Sequence, residues 1–149
     1  MDLAALCSQV EPVFRRQGSV ILAYLFGSSA RGETHRGSDL DLGVFMEDTS
    51  LTAYRALWSD LRDVLGTIPF DLVTLNAADP VLCFDVIREG RVLFYRSAEA
   101  LNEFERRAWH RYQDTRHLRS IGEQYLAERA REWSSKKKLS SSDSSDSKK

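Results

Sequence analysis

Apolar residues at Leu3, Leu6, Val10, Val13 and Phe14 recur at helical spacing, which predicts a helix over 2–17 with Asp2 at its N-terminus. Pro12 falls inside that run and removes one helical hydrogen bond, and Gly18 ends the segment. Residues 19–26, SVILAYLF, form a short continuous apolar run rich in β-branched and aromatic side chains, the signature of a buried strand. A short helical turn is expected over 28–32 and a polar loop over 33–37. The alternation over 39–45 predicts a second strand.

Thr49 or Ser50 can cap a helix over 51–65, with Leu51, Tyr54, Leu57, Trp58, Leu61 and Leu65 on its inner face and Gly66 at its end. Residues 69–75 read as a third strand. Asp79-Pro80 opens a helix that stops at Gly90, because proline is accepted at a first helical position. Residues 91–95 form a fourth strand. Ser97 caps one long helix over 98–133, with Leu101, Phe104, Ala108, Tyr112, Leu118, Ile121 and Tyr125 as its stripe. Beyond Trp133 the chain is almost only Ser, Lys and Asp, which cannot bury enough apolar surface to offset its ordering entropy. The expected organisation is a core over 1–96, a C-terminal helix over 97–133 that can serve as a docking surface, and a disordered tail over 134–149. The order α, β, β, α, β, α, β, α predicts an α+β fold, a small mixed sheet of about four strands backed by helices, with no internal repeat.

A chain of 149 residues suits one core, and its formal net charge of -1 creates no global field toward nucleic acid or membrane. Cys7 and Cys83 stand alone in apolar segments, without metal or redox spacing, and are expected as reduced buried thiols. No apolar run is long enough to span a bilayer. The expectation is a cytoplasmic protein with neither a membrane nor a direct nucleic-acid partner.

Two charges contradict the apolar pattern of the second strand. Asp39 and Asp41 are two residues apart, so they project from one face while Leu40 and Leu42 enter the core. Paired carboxylates repel unless one is protonated or a cation lies between them, and Mg2+ is bound through one or two carboxylates plus substrate phosphates. An isolated Asp-x-Asp is more often a hydrated sheet edge. Gly27-Ser28, ten residues upstream of Asp39, changes that weighting. Gly27 lets the backbone approach a ligand, Ser28 adds a hydroxyl and an N–H at a helical turn, and Arg31 can offer a cation to the same anion. The alternatives are an ordinary turn and a solvated arginine. A phosphate cradle beside a carboxylate pair suits a nucleoside triphosphate with Mg2+. The P-loop and dinucleotide fingerprints are excluded, since the stretch lacks the lysine of one and the third glycine of the other. Asp71, in the third strand, can join the pair if its strand lies adjacent; alone it reads as a hydrated strand-end carboxylate.

Gly27-Ser28, ten residues, Asp39-x-Asp41 and a later strand aspartate resemble the DNA polymerase β superfamily of nucleotidyltransferases. The stretches GSSARG…SDLDLGV and IREGRVLFY are similar to its minimal nucleotidyltransferase (MNT) branch, whose members are often antitoxin partners of HEPN-domain toxins; the likeness covers about Leu3 to Tyr95. The resemblance implies the polymerase β-like fold and a two-Mg2+ transfer of AMP from ATP. In it Asp39, Asp41 and Asp71 are catalytic metal ligands, and Asp71 also helps deprotonate the acceptor hydroxyl. Gly27, Ser28, Arg31 and Ser38 would bind the nucleotide. The acceptor implied is a tyrosine of a cognate HEPN toxin, with which the chain would form a hetero-oligomer.

Two other readings stand beside it: an antitoxin that neutralises by binding alone, its nucleotide site idle, and a small-molecule nucleotidyltransferase of the aminoglycoside type. The latter usually carries a further helical domain for the acceptor. His35, His110 and His117 lack partners at ligand spacing and read as surface residues. Trp58 is expected in the core, while Trp109 and Trp133 are more open. The arginines interleaved with acids on the last helix fit either a solvated face with i,i+4 pairs or a docking surface.

Overall fold

The computed structural model describes residues 2–33 and 39–142, with side chains through 140. The elements are α1 (Leu3–Arg16), β1 (Val20–Phe26), α2 (Gly27–Ala30), β2 (Leu40–Met46), α3 (Leu51–Leu65), β3 (Phe70–Thr74), a 3-10 turn (Leu75–Ala77), α4 (Pro80–Glu89), β4 (Arg91–Tyr95), α5 (Ala98–Asp114) and α6 (Arg116–Ser142). The strands form one mixed sheet in the order β3-β2-β1-β4. β1 is antiparallel to both β2 and β4, and β2 is parallel to β3. Local chemistry sets the boundaries. Asp2, Ser50 and Asp79 each accept a main-chain N–H at the start of a helix, and Gly66, at φ 61°, closes α3.

Alternation along the strands supplies two cores. On one face Leu40, Leu42, Val44 and Met46 pack with Leu6, Val10, Val13 and Phe14 of α1 and Leu57, Leu61 and Leu65 of α3. On the other, Leu22 and Tyr24 meet Leu75, Val86 of α4 and Phe104 of α5. Among the described residues the cover on this second face is incomplete along β2. Phe45 lies against the Phe104 ring at 5.2 Å, and a Cβ at Gly43 would press on Leu75, but the next residue on that face is Asp41.

The chain forms two compact units, Met1–Tyr112 and Gln113–Lys149. The first takes in α5 past the expected boundary at 96, because Phe104 and Ala108 are buried. Five expectations are corrected. The single helix over 98–133 is two helices interrupted at Thr115, whose hydroxyl accepts from the Arg119 guanidinium and whose carbonyl accepts the Arg119 N–H at 3.1 Å at the start of the second helix. The lower stripe is exposed, with Leu118 at 67% and Tyr125 at 56%, so periodicity there does not mean burial. Further, α6 continues through 134–142, where composition predicted no structure, because each added helical residue needs only a bond to its own chain. Trp58 is 40% exposed rather than core, and Cys7 is half-buried. Among the described residues no helix is long and apolar enough to cross a membrane.

Candidate active site

β1 ends at Phe26, the register partner of Asp41 on β2. The chain then turns sharply into α2 at Gly27, whose φ of 71° is a left-handed conformation suited to glycine. The space where a Cβ would sit at Gly27 is occupied by Asp41 Oδ2, so turn and carboxylate are in intimate contact. Ser28 lies in α2, half-buried, and its carbonyl accepts the Glu33 N–H at 3.0 Å. Across the parallel pair, Leu40 faces Phe70, Asp41 faces Asp71 and Leu42 faces Leu72. The topology therefore brings Asp71 beside Asp41, with exposed Asp39 immediately before β2.

Asp41 is half-buried, and its carboxyl is pushed above the usual carboxylate range, first by burial and then by the negative charges of Asp71 and Asp39. Among the described residues, no ion pair neutralises any of the three. Among those residues, too, no three His, Cys, Asp or Glu side chains already surround a single metal position. The donors nevertheless fit a hard cation: they are all oxygens, their charges are unpaired, and each raises the cost of ionising Asp41. Like charges without a cation favour separated side chains, and Asp39 and Asp71 are exposed enough to adjust.

Arg31 follows α2, and its guanidinium is engaged by two acids, Glu33 at 3.5 Å and Glu89 of α4 at 3.3 Å. Ser38 and His35 lie outside the described residues. One feature escaped sequence reasoning: Ser29 Oγ is buried with no hydrogen-bond partner among the described residues. Its only sequence signal is the second serine of Gly27-Ser28-Ser29, which spacing alone does not distinguish from a turn residue. A separate apolar cavity of about 320 Å3, with Phe45, Leu75, Cys83, Phe104 and Arg111 in its wall, does not include the carboxylates. On α5, Glu103 pairs with Arg106 and Arg107 at 2.8 Å, the arrangement of a solvated helix face.

The family described as polymerase beta nucleotidyltransferase matches residues 8–99. The curated protein adenylyltransferase MntA of Shewanella oneidensis is 37% identical over 75 residues, 49% of this chain and 52% of that protein. The match thus spans about half the length of that relative. Among solved structures, a toxin–antitoxin complex with AMP-PNP contains a chain 28% identical with TM-score 0.67, covering 80% of this chain and 98% of that one. A complex of tri-AMPylated Shewanella oneidensis HEPN toxin with MNT antitoxin contains a chain 25% identical with TM-score 0.64, covering 83% and 98%.

Proposed function

Because the chain belongs to the polymerase β nucleotidyltransferase family, we propose that it transfers AMP from ATP to a hydroxyl of a partner protein and so acts as the antitoxin of a toxin–antitoxin pair. The single observation that carries this reading is the pairing of Asp41 with Asp71 across β2 and β3, with Asp41 pressed against the Gly27 turn. The acceptor proposed is a tyrosine of a HEPN toxin, by analogy with the tri-AMPylated toxin in the related complex. ATP as donor is supported by the AMP-PNP complex of another relative.

In this reading Asp39, Asp41 and Asp71 hold Mg2+, and Gly27, Ser28, Arg31 and Ser38 hold the triphosphate. Two bound Mg2+ ions would supply charge neutralisation at the attacking and leaving oxygens. The Gly27–Ser28 turn aligns the donor so that the acceptor oxygen meets the α-phosphorus in line and pyrophosphate departs. A carboxylate oxygen of Asp71 takes the proton of the incoming hydroxyl. Leu40 and Leu42, anchored in the opposite core, keep the β2 aspartates from turning away. The protein is proposed to work in the cytoplasm. Residues 97–133 are proposed to contribute to partner docking.

One observation favours the binding-only reading: Arg31 is held by Glu33 and Glu89 rather than standing open to a phosphate. A single experiment separates the two. The protein is incubated with α-labelled ATP, Mg2+ and the product of its neighbouring reading frame, beside the Asp39→Asn/Asp41→Asn variant. Label on the partner that vanishes in the variant is expected. A variant that still neutralises the partner fully, with no labelling by the native protein, would leave binding alone as the function.

A further inference from the structure

We infer that Arg62 of α3 is a positioning residue for Asp71, an inference that rests on the proposed role of that carboxylate. One guanidinium nitrogen, Nη1, donates to the carbonyls of Gly66 at 3.0 Å and Ile68 at 3.1 Å. The same group lies over the Phe70 ring at 4.5 Å and the Trp58 ring at 5.1 Å, and those two rings pack at 5.6 Å. Both carbonyls belong to the segment that leads from α3 into β3. Its last residue, Pro69, accepts the Leu40 N–H at 3.0 Å, and Leu40 lies between Asp39 and Asp41. Arg62 thus ties down the backbone that delivers Asp71 and, through Pro69, the start of the strand that delivers Asp39 and Asp41.

The physical case rests on what else could hold Asp71. Among the described residues β3 is an edge strand paired with β2 alone; the Tyr54 hydroxyl of α3 also donates to the Leu72 carbonyl at 2.9 Å, on the far side of Asp71 from the Arg62 contacts, and Asp71 itself is exposed. Phe70, 7% exposed, anchors the residue before it from the α3 side, and Arg62 covers that ring. A cation above an aromatic face is held by the ring quadrupole while its N–H groups remain available to carbonyls. Removing the guanidinium leaves the apolar anchor but frees the approach segment, so Asp71 loses its fixed placement opposite Asp41. A displacement near 1 Å at a reacting group can cost about 100-fold in rate.

The test compares Arg62→Met, Arg62→Lys, Asp71→Asn and the Arg62→Met/Asp71→Asn double variant in the labelled-ATP transfer assay. Amide hydrogen exchange is followed in parallel. Arg62→Met is expected to lower kcat by about 10- to 100-fold with KM for ATP within about twofold. The Leu40 amide should exchange faster, while amides in the β1–β2 centre keep their protection. Arg62→Lys, whose ammonium can serve both carbonyls, should retain kcat within about fivefold and serves as the readout if Arg62→Met does not fold. The double variant should be no slower than Asp71→Asn. An unchanged kcat in Arg62→Met, losses that multiply in the double variant, or unaltered Leu40 exchange overturns the inference while the role of Asp71 stands. A silent Asp71→Asn rejects the proposed role itself and the inference with it.

Discussion

Replacing Gly27 with alanine separates two kinds of cost. The backbone cost comes from φ 71°, where an L side chain is strained by about 1–2 kcal/mol. Gly32, at φ 77°, carries the same backbone cost without a collision, because a Cβ added there would meet no described atom within 4 Å. At Gly27 the new methyl would overlap Asp41 Oδ2, so one of the two must move. The glycine is fixed at the end of β1 and the aspartate by its register with Phe26 and Asp71. The side chain of Asp41 is therefore what yields, by about 1 Å to reach van der Waals contact. A shift of that size predicts about 100-fold slower transfer in Gly27→Ala. Thermal melting should show both variants destabilised by about 1–2 kcal/mol, roughly 4–8 °C for a domain of this size. Only Gly27→Ala should lose transfer of labelled AMP to the partner. Equal activity in the two variants at matched stability would refute the argument that Asp41 and the turn share one packed site.

Further outcomes can be measured independently. In metal-free protein Asp41 titrates above the usual carboxylate range, so the native state holds its proton longer than the unfolded chain, and stability falls as pH rises from the ordinary carboxylate value through the raised one. Asp71→Asn removes a like charge and should move the Asp41 titration down, as followed by carbon NMR; an unmoved titration would show that Asp71 exerts no field there. Glu89→Gln should release Arg31 toward phosphate and lower KM for ATP a few-fold at low salt, with little change in melting, since the pair is largely solvated. A raised KM would mean that Glu89 orients Arg31 instead. Buried Tyr24 donates to Glu105 Oε1 at 2.6 Å, so Tyr24→Phe should cost about 1.5–3 kcal/mol in a denaturant titration and leave AMP transfer intact at low temperature.

The strands and the first four helices were legible because their signals are short-range. Leu6, Val10, Val13 and Phe14 mark one helical face wherever the helix packs, and Asp2, Ser50 and Asp79 cap whatever follows them. The same reasoning failed at Thr115, since a stripe that runs through Tyr112 to Leu118 looks continuous and carries neither Pro nor Gly to announce a break. It also failed at Trp58. That side chain has the spacing of a core residue, yet its ring lies at the surface with Phe70 and Arg62.

By itself the sequence determined which residues form the elements and which chemistry they carry. The Gly27-Ser28 turn, the Asp39-x-Asp41 alternation and the buried Leu40 and Leu42 follow from two-residue periodicity and from glycine's backbone freedom. Tertiary structure alone decided that Asp71 stands opposite Asp41, that the second face of the sheet is packed over Phe45 and Gly43 while Asp41 stays half-buried, and that Arg31 reaches Glu89. These depend on strand register and helix placement between segments far apart in the chain, such as Arg31 and Glu89, 58 residues apart. Such relations are settled when distant apolar faces pack together, and no local propensity encodes them.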